Sequence, residues 1–144
     1  VAASSVAMNA VAASSVAIGA IASSTTAKNA VLASQTALDA LDRSPLAQTM
    51  SSAGTVNGRG FVISYSVQSN AYDDIAIGGY KVTVDSTVVA TCTEQINSYG
   101  GLANKTENGS HLFLTSKIAL AFTTGKFGNH SSTGSGNMKY ILGS

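Results

Sequence analysis

The sequence predicts an α+β protein whose two kinds of structure are segregated along the chain. An Ala/Ser-rich helical coiled-coil stalk comes first and an all-β, sandwich-like tip follows. Three observations carry this. Residues 1–50 divide into blocks of ten: VAASSVAMNA, VAASSVAIGA, IASSTTAKNA, VLASQTALDA and LDRSPLAQTM. All five Tyr and all four Phe lie at or beyond Phe61. From Phe61 onward, apolar residues recur at every second position instead of every third or fourth. The expected division is a repeat stalk over 1–50, a linker over 51–60 and a β-rich tip over 61–144.

In the repeat, position one is Val1, Val11, Ile21, Val31 and Leu41, position four is always Ser, and position seven is always Ala. Position ten is Ala until Met50. These spacings of three and one place the constant residues on one side of a helix, and Ala, Leu and Ser suit helix. Ten residues at ~3.6 per turn fall short of three turns, so the stripe slips about 80° per block. Two solutions stay open: an overwound continuous helix, or a helix interrupted at the Ser-Ser or Ser-Thr step of each block. A continuous helix would be a rod of roughly 65 Å. A lone rod has nowhere to bury its stripe, so it is expected to meet copies of itself or another part of the chain. No charge precedes Lys28. Recurrent Ser and Thr, and the lack of flanking basic residues, argue against a membrane span. With neither an initiating Met nor a basic n-region, a secretory signal is not expected. The start on a block boundary is that of a fragment with further repeats upstream. An isolated ice-binding helix is disfavoured by the attached β-rich part.

Net charge is +1 and charged residues are 10% of the chain. This leaves no footprint for nucleic acid or an acidic membrane. The single cysteine, Cys92, excludes an intrachain disulfide and is expected to be a small strand residue.

Pro45 is expected to end the helical region near Arg43, with Leu46 to Met50 adding one more turn. SSAGTVNGRG has linker composition. FVISYSV alternates as a strand. Ile75 and Ile77 lead through Gly78-Gly79 into a strand with Tyr80, Val82 and Val84. Asp85-Ser86 turns it back through Val88, Ala90 and Cys92. HLFLTSKIALAFTT is one or two strands with a bend at Thr115-Ser116-Lys117. Met138 to Leu142 form the last strand. Polar loops are expected at 68–74, 94–110 and 125–137.

The residues point to recognition and not to catalysis. His111 and His130 have no second ligand at metal spacing, so no metal and no cofactor are expected. Asp73 and Asp74 are adjacent and would face opposite sides of a strand. Glycoside hydrolysis needs two carboxylates at a set separation, and the chain has only seven acids. The loops instead carry Tyr72, Asn97, Tyr99, Asn104, Lys105, Asn108, Asn129 and His130, and Tyr with Asn, Ser and Gly suits adaptable binding surfaces. Asn104, Asn108 and Asn129 also match glycosylation sequons and mark surface loops. The receptor-binding candidates are Tyr72, Tyr99, Asn104, Lys105, Asn108, Asn129 and His130.

The pattern SSVAMNAVAASSVAIGAIASSTTAKNAVLASQTALDAL resembles the Ala/Ser-rich repeats of bacteriophage tail-fibre and receptor-binding appendage proteins. GYKVTVDSTVVAT, HLFLTSKIALAF and the closing MKYIL are similar in style to their small β-structured tips. The resemblance implies a parallel homotrimeric fibre in the virion, exposed outside the cell and joined to upstream fibre or tail proteins. Its tip would bind a bacterial surface glycan or outer-membrane protein, with no nucleic acid partner and no membrane insertion. A bacterial trimeric adhesin shares this plan, and a carbohydrate-active domain on a stalk is the alternative from another class.

Overall fold

The computed structural model describes residues 3–72, 76–92, 95–96 and 105–144. The repeat forms four helices of equal length: α1 Ser5–Ala12, α2 Ser15–Ala22, α3 Thr25–Leu32 and α4 Gln35–Asp42. The interrupted solution is therefore the one adopted. Ser4, Ser14, Ser24 and Ser34 are the N-caps, each in extended conformation. Each hydroxyl accepts a hydrogen bond from the backbone N–H of the Ala three residues on, at 3.2–3.3 Å. The constant Ser of position four is thus a helix-initiation signal repeated every ten residues. The 80° slip never accumulates, because each cap resets the helix direction. Between α1 and α2 the axis bends by 97°.

The expected coiled-coil rod is replaced by a compact coil. Successive helices meet at their corners, and α1 comes back to lie against α4, three blocks later. The Ser44 hydroxyl donates to the Ala12 carbonyl and ties the end of α4 to the end of α1. Ser44 Oγ also accepts from Leu46 N at 3.1 Å. This turns the chain at Pro45, so Gln48–Met50 becomes strand β1 and not a further helical turn. No single described helix is long and apolar enough to cross a membrane.

The remaining strands are β2 Gly54–Asn57, β3 Arg59–Gln68, β4 Asn70–Tyr72, β5 Ala76–Gly78, β6 Tyr80–Val84, β7 Thr87–Cys92, β8 Gln95–Ile96, β9 Thr106–Leu114, β10 Lys117–Phe122, β11 Thr124–Phe127, β12 His130–Thr133 and β13 Ser135–Gly143. One antiparallel sheet has the order β1-β13-β3-β9 and a second β2-β10-β6-β7. They face each other across a core of Val62, Tyr65, Val67, Tyr80, Val82, Val84, Leu114, Ile118, Leu120, Met138 and Tyr140. Of the segment expected as a linker, 54–57 pairs with 117–120 at the edge of the second sheet. Small residues with little to bury still form strand where a neighbour offers free backbone partners. Cys92 sits on β7 opposite Tyr80, partly buried at the core margin.

The other face of the first sheet carries the helices. Met8, Ala12, Ile18, Val31, Ala37, Ala40 and Leu41 share a second core with Phe61, Ile63 and Ile141. A bulge makes this possible. Val62 and Ser64 pair with consecutive residues Tyr140 and Lys139 of β13, leaving Ile63 as the extra residue. Helix α2 lies directly on β13, and a Cβ at Gly19 would sit 2.0 Å from the carbonyl oxygen of Ser144, the residue that follows β13. That contact explains why block two alone carries Gly at position nine. Polar links complete the seam: His111 Nε2 to Asp42 Oδ1 at 2.7 Å, Lys139 Nζ to the Asp42 carbonyl at 2.9 Å, and Lys28 4.8 Å above the Phe113 ring. Met8, Ile18, Val31 and Leu41, large apolar residues of the repeat that a lone rod could not bury, are covered within one chain.

One turn carries a pH-dependent contribution. Asp85 and Ser86 both have positive φ, 51° and 77°, as a two-residue hairpin turn of matching twist requires. The Asp85 carboxylate accepts from the backbone N–H groups of Thr115, Ser116 and Lys117 at 2.8, 2.7 and 3.1 Å. Burial alone would raise its pKa, but these N–H donors outweigh it and the net shift is downward. A lowered folded-state pKa contributes stability above the ordinary Asp pKa, and that stability is lost as pH falls through the lowered value. Asp85→Asn should cost about 1–2 kcal/mol at neutral pH, towards the low end because the group is partly solvated. Urea unfolding at pH 7 and pH 3 should show a smaller acid loss in Asp85→Asn than in the parent chain. An equal loss in both would contradict this role.

Candidate functional site

The segment expected as a loop at 125–137 is instead mostly the hairpin β11–β12, closed by the two-residue turn Gly128-Asn129. Gly128 has φ +57°, which suits glycine at the first turn position. The hairpin lies flat on β5, and β12 also touches β4. Glycines make this approach possible. A Cβ at Gly125 would stand 2.4 Å from the Ile77 carbonyl oxygen, and one at Gly78 would stand 2.3 Å from Thr133 Cα. Asn70 fastens β4 from the side, with Nδ2 donating to the Thr133 carbonyl at 2.6 Å and to Ser135 Oγ at 3.1 Å.

This arrangement brings together Tyr72, Asn129 and His130. The Tyr72 and His130 rings are 4.7 Å apart at 49°. Phe127 pairs with His130 across the hairpin. Tyr72 is 47% exposed and Phe127 41%, both high for large apolar groups, and Asn129 is exposed at the turn. His130 Nδ1 is buried and has no hydrogen-bond partner among the described residues. The result is an aromatic surface with an amide at its edge, seated on closely packed backbone. Sequence reasoning missed Phe127. The Gly-Asn pair between Phe127 and His130 was the available signal, since that dipeptide marks a tight hairpin.

Asn108 belongs elsewhere. It lies on β9 beside a shallow concavity of about 400 Å³ lined by Ser64, Ser66, Ser110 and Asn137, with Tyr65 and Gly109 completing it. Beyond the Ile63 bulge the first sheet thus carries hydroxyls and amides where it has no helix over it. Lys105 is engaged locally: its N–H donates to Ser69 Oγ at 2.7 Å and its ammonium lies 3.6 Å from Glu107. Tyr99 and Asn104, with Asn97, Asp73 and Asp74, lie outside the described residues.

The four described carboxylates are each occupied by a different partner. Asp39 accepts from Gln35, Asp42 meets His111, Asp85 holds the 115–117 bend, and Glu107 accepts from the Tyr80 hydroxyl at 2.6 Å. Burial, and then the hydrogen bond and charge of Glu107, push the Tyr80 phenol well above its ordinary value. Tyr80 is therefore a donor at any physiological pH and not a base. Among the described residues, no three His, Cys, Asp or Glu side chains are placed to hold one metal ion.

Comparison with protein-family models, with curated proteins and with solved structures finds no match for this chain.

Proposed function

We propose that this chain is a structural attachment protein of the bacteriophage tail-fibre or receptor-binding appendage type, and not a catalyst. In this reading the repeat coil holds the β-rich part, which adsorbs to a glycan on a bacterial surface, outside the cell and as part of the virion. The observation that carries the proposal is the Tyr72–His130–Phe127 surface with Asn129 at its edge. Aromatic faces stack on the apolar C–H face of a pyranose ring, and amides pair with its hydroxyls. The support beneath is glycine-packed backbone, so little ordering entropy is lost on binding.

A single neutral surface of this size binds weakly, and the fibre reading overcomes this by presenting three copies together. Val6 and Val16, 80% and 69% exposed, offer apolar surface for contact between copies in a homotrimer.

The test is adsorption of the purified chain to cells of a susceptible bacterium. Tyr72→Ala with His130→Ala should reduce adsorption at least about tenfold, the loss expected when two contacts of the order of 1 kcal/mol each are removed. Thermal stability should change little, because Tyr72 stands on the surface. Periodate treatment of the cells should have the same effect as the double substitution. Adsorption that survives periodate but is lost on protease treatment would move the receptor to an outer-membrane protein. Full adsorption by the double variant would remove this surface from the account.

A further inference from the structure

We propose that the outer face of helices α1, α2 and α3 is a docking surface shaped to take a further three-helix turn of the same ten-residue repeat. The inference rests on the one place where two turns of the coil already meet.

Helix α4 is the only described helix with another helix three blocks before it, and α1 lies against it. In α4 the Ala residues of positions seven and ten, Ala37 and Ala40, are 0% and 2% exposed. In the first three helices the same positions behave differently. Ala10, Ala20 and Ala30 are exposed, and Ala7, Ala17 and Ala27 are half-buried. The residue type is constant while the burial changes, and the difference follows the presence of an overlying helix. Positions seven and ten lie three residues apart, so they form one face of each helix. Bare methyl groups there let a second helix backbone approach closely.

The complementary face is visible too. Helix α1 turns Met8 and Ala12, positions eight and two, into the core that includes Ala37 and Ala40. Helix α2 turns the matching Ile18 and Ala22 inward, towards β13 and β3. In α3 the matching Lys28 stands over Phe113 on β9. The lower face of α2 is therefore closed by the first sheet, Lys28 of α3 reaches Phe113 on that sheet, and the lower face of α1 is closed by α4, whereas no described helix lies over the upper faces of α1, α2 and α3.

A second observation, independent of the Ala stripe, concerns the constant Ser. Ser44 does more than turn the chain, because its hydroxyl donates across the turn to the Ala12 carbonyl. Ser14 and Ser24 stand at the same repeat position and use their oxygen to cap α2 and α3. An overlying turn would present its own position-two carbonyls to these hydroxyl hydrogens. A solenoid grows by such nearest-neighbour contacts, each turn covering the one before.

The test is a chain carrying a second copy of residues 1–30 fused ahead of residue 1. The three added helices should fold, seen as a gain in helical circular dichroism. Amide exchange at 17–20 and 27–30 should slow by about tenfold or more, as expected when open helices become covered. Ala17→Glu with Ala27→Glu should abolish both gains in the extended chain and leave the melting temperature of the unextended chain nearly unchanged. Added blocks that exchange like unfolded polypeptide would overturn the proposal. So would an unextended chain that dimerises through this face, with Ala17→Glu dissociating it, since the occupant would then be a second copy.

Discussion

Ile18→Asp should detach the helical coil from the sheet and cost about 4 kcal/mol or more. Ile18 is fully buried in the core shared with Phe61, Ile63 and Ile141, at the point where α2 rests on β13. Replacing it removes roughly 2–3 kcal/mol of apolar burial and leaves a carboxylate with no cationic partner in a closed interface. The surroundings cannot yield easily, because Gly19 and Gly143 already bring α2 and β13 into backbone contact. Ile18→Val is the matched control, expected to cost about 1 kcal/mol. Urea unfolding followed by far-ultraviolet circular dichroism measures both. An Ile18→Asp chain as stable as Ile18→Val would mean that the coil does not rest on the sheet.

Gly125→Val should lift the β11–β12 hairpin off β5 and abolish binding at the aromatic surface without touching any aromatic residue. Its Cβ would lie 2.4 Å from the Ile77 carbonyl oxygen and 2.8 Å from Ile77 N. Both are backbone atoms, so no side-chain rotation relieves the clash, and about 2–3 kcal/mol of strain is expected. The hairpin moves instead, and Phe127 and His130 move with it, away from Tyr72. Gly54→Ala is the control, since the nearest atom to a Cβ there is Met50 Sδ at 3.8 Å. The backbone amide signals of residues 70–72 and adsorption to cells should change together in Gly125→Val and in neither respect in Gly54→Ala. Unchanged adsorption by Gly125→Val would separate binding from the hairpin.

The repeat was legible in the sequence as helix and as a stripe, but its path, and the capping role of its constant Ser, were not. Each Ser-Ser or Ser-Thr step is compatible with both an overwound rod and a corner. Only the packing of α1 on α4 and of α2 on β13, contacts between residues far apart in sequence, selects the corner. The odd Gly19 was the local trace of that contact, a backbone meeting at the one block that rests on β13. Strands β3, β6, β7 and β13 and the Asp85-Ser86 turn were readable because alternation and turn residues are local signals. Strands β2 and β12 were not. GTVN and HSST bury little, and they are strands only because Lys117–Leu120 and Thr124–Phe127 offer them partners. At the candidate site, Tyr72 and His130 could be singled out one at a time, but their 58-residue separation hid that they touch. Phe127 completes the surface for the same reason, through the register of the hairpin.

The most direct test of the binding account is the backbone amide spectrum of the chain, titrated with surface saccharide released from an adsorbing bacterium. Residues 70–72 and 126–131 should shift together with one saturation curve, and the Tyr72→Ala/His130→Ala chain should show no shifts there. Shifts confined to Ser64, Ser66, Asn108 and Ser110 would place binding in the concavity on the first sheet and contradict the account.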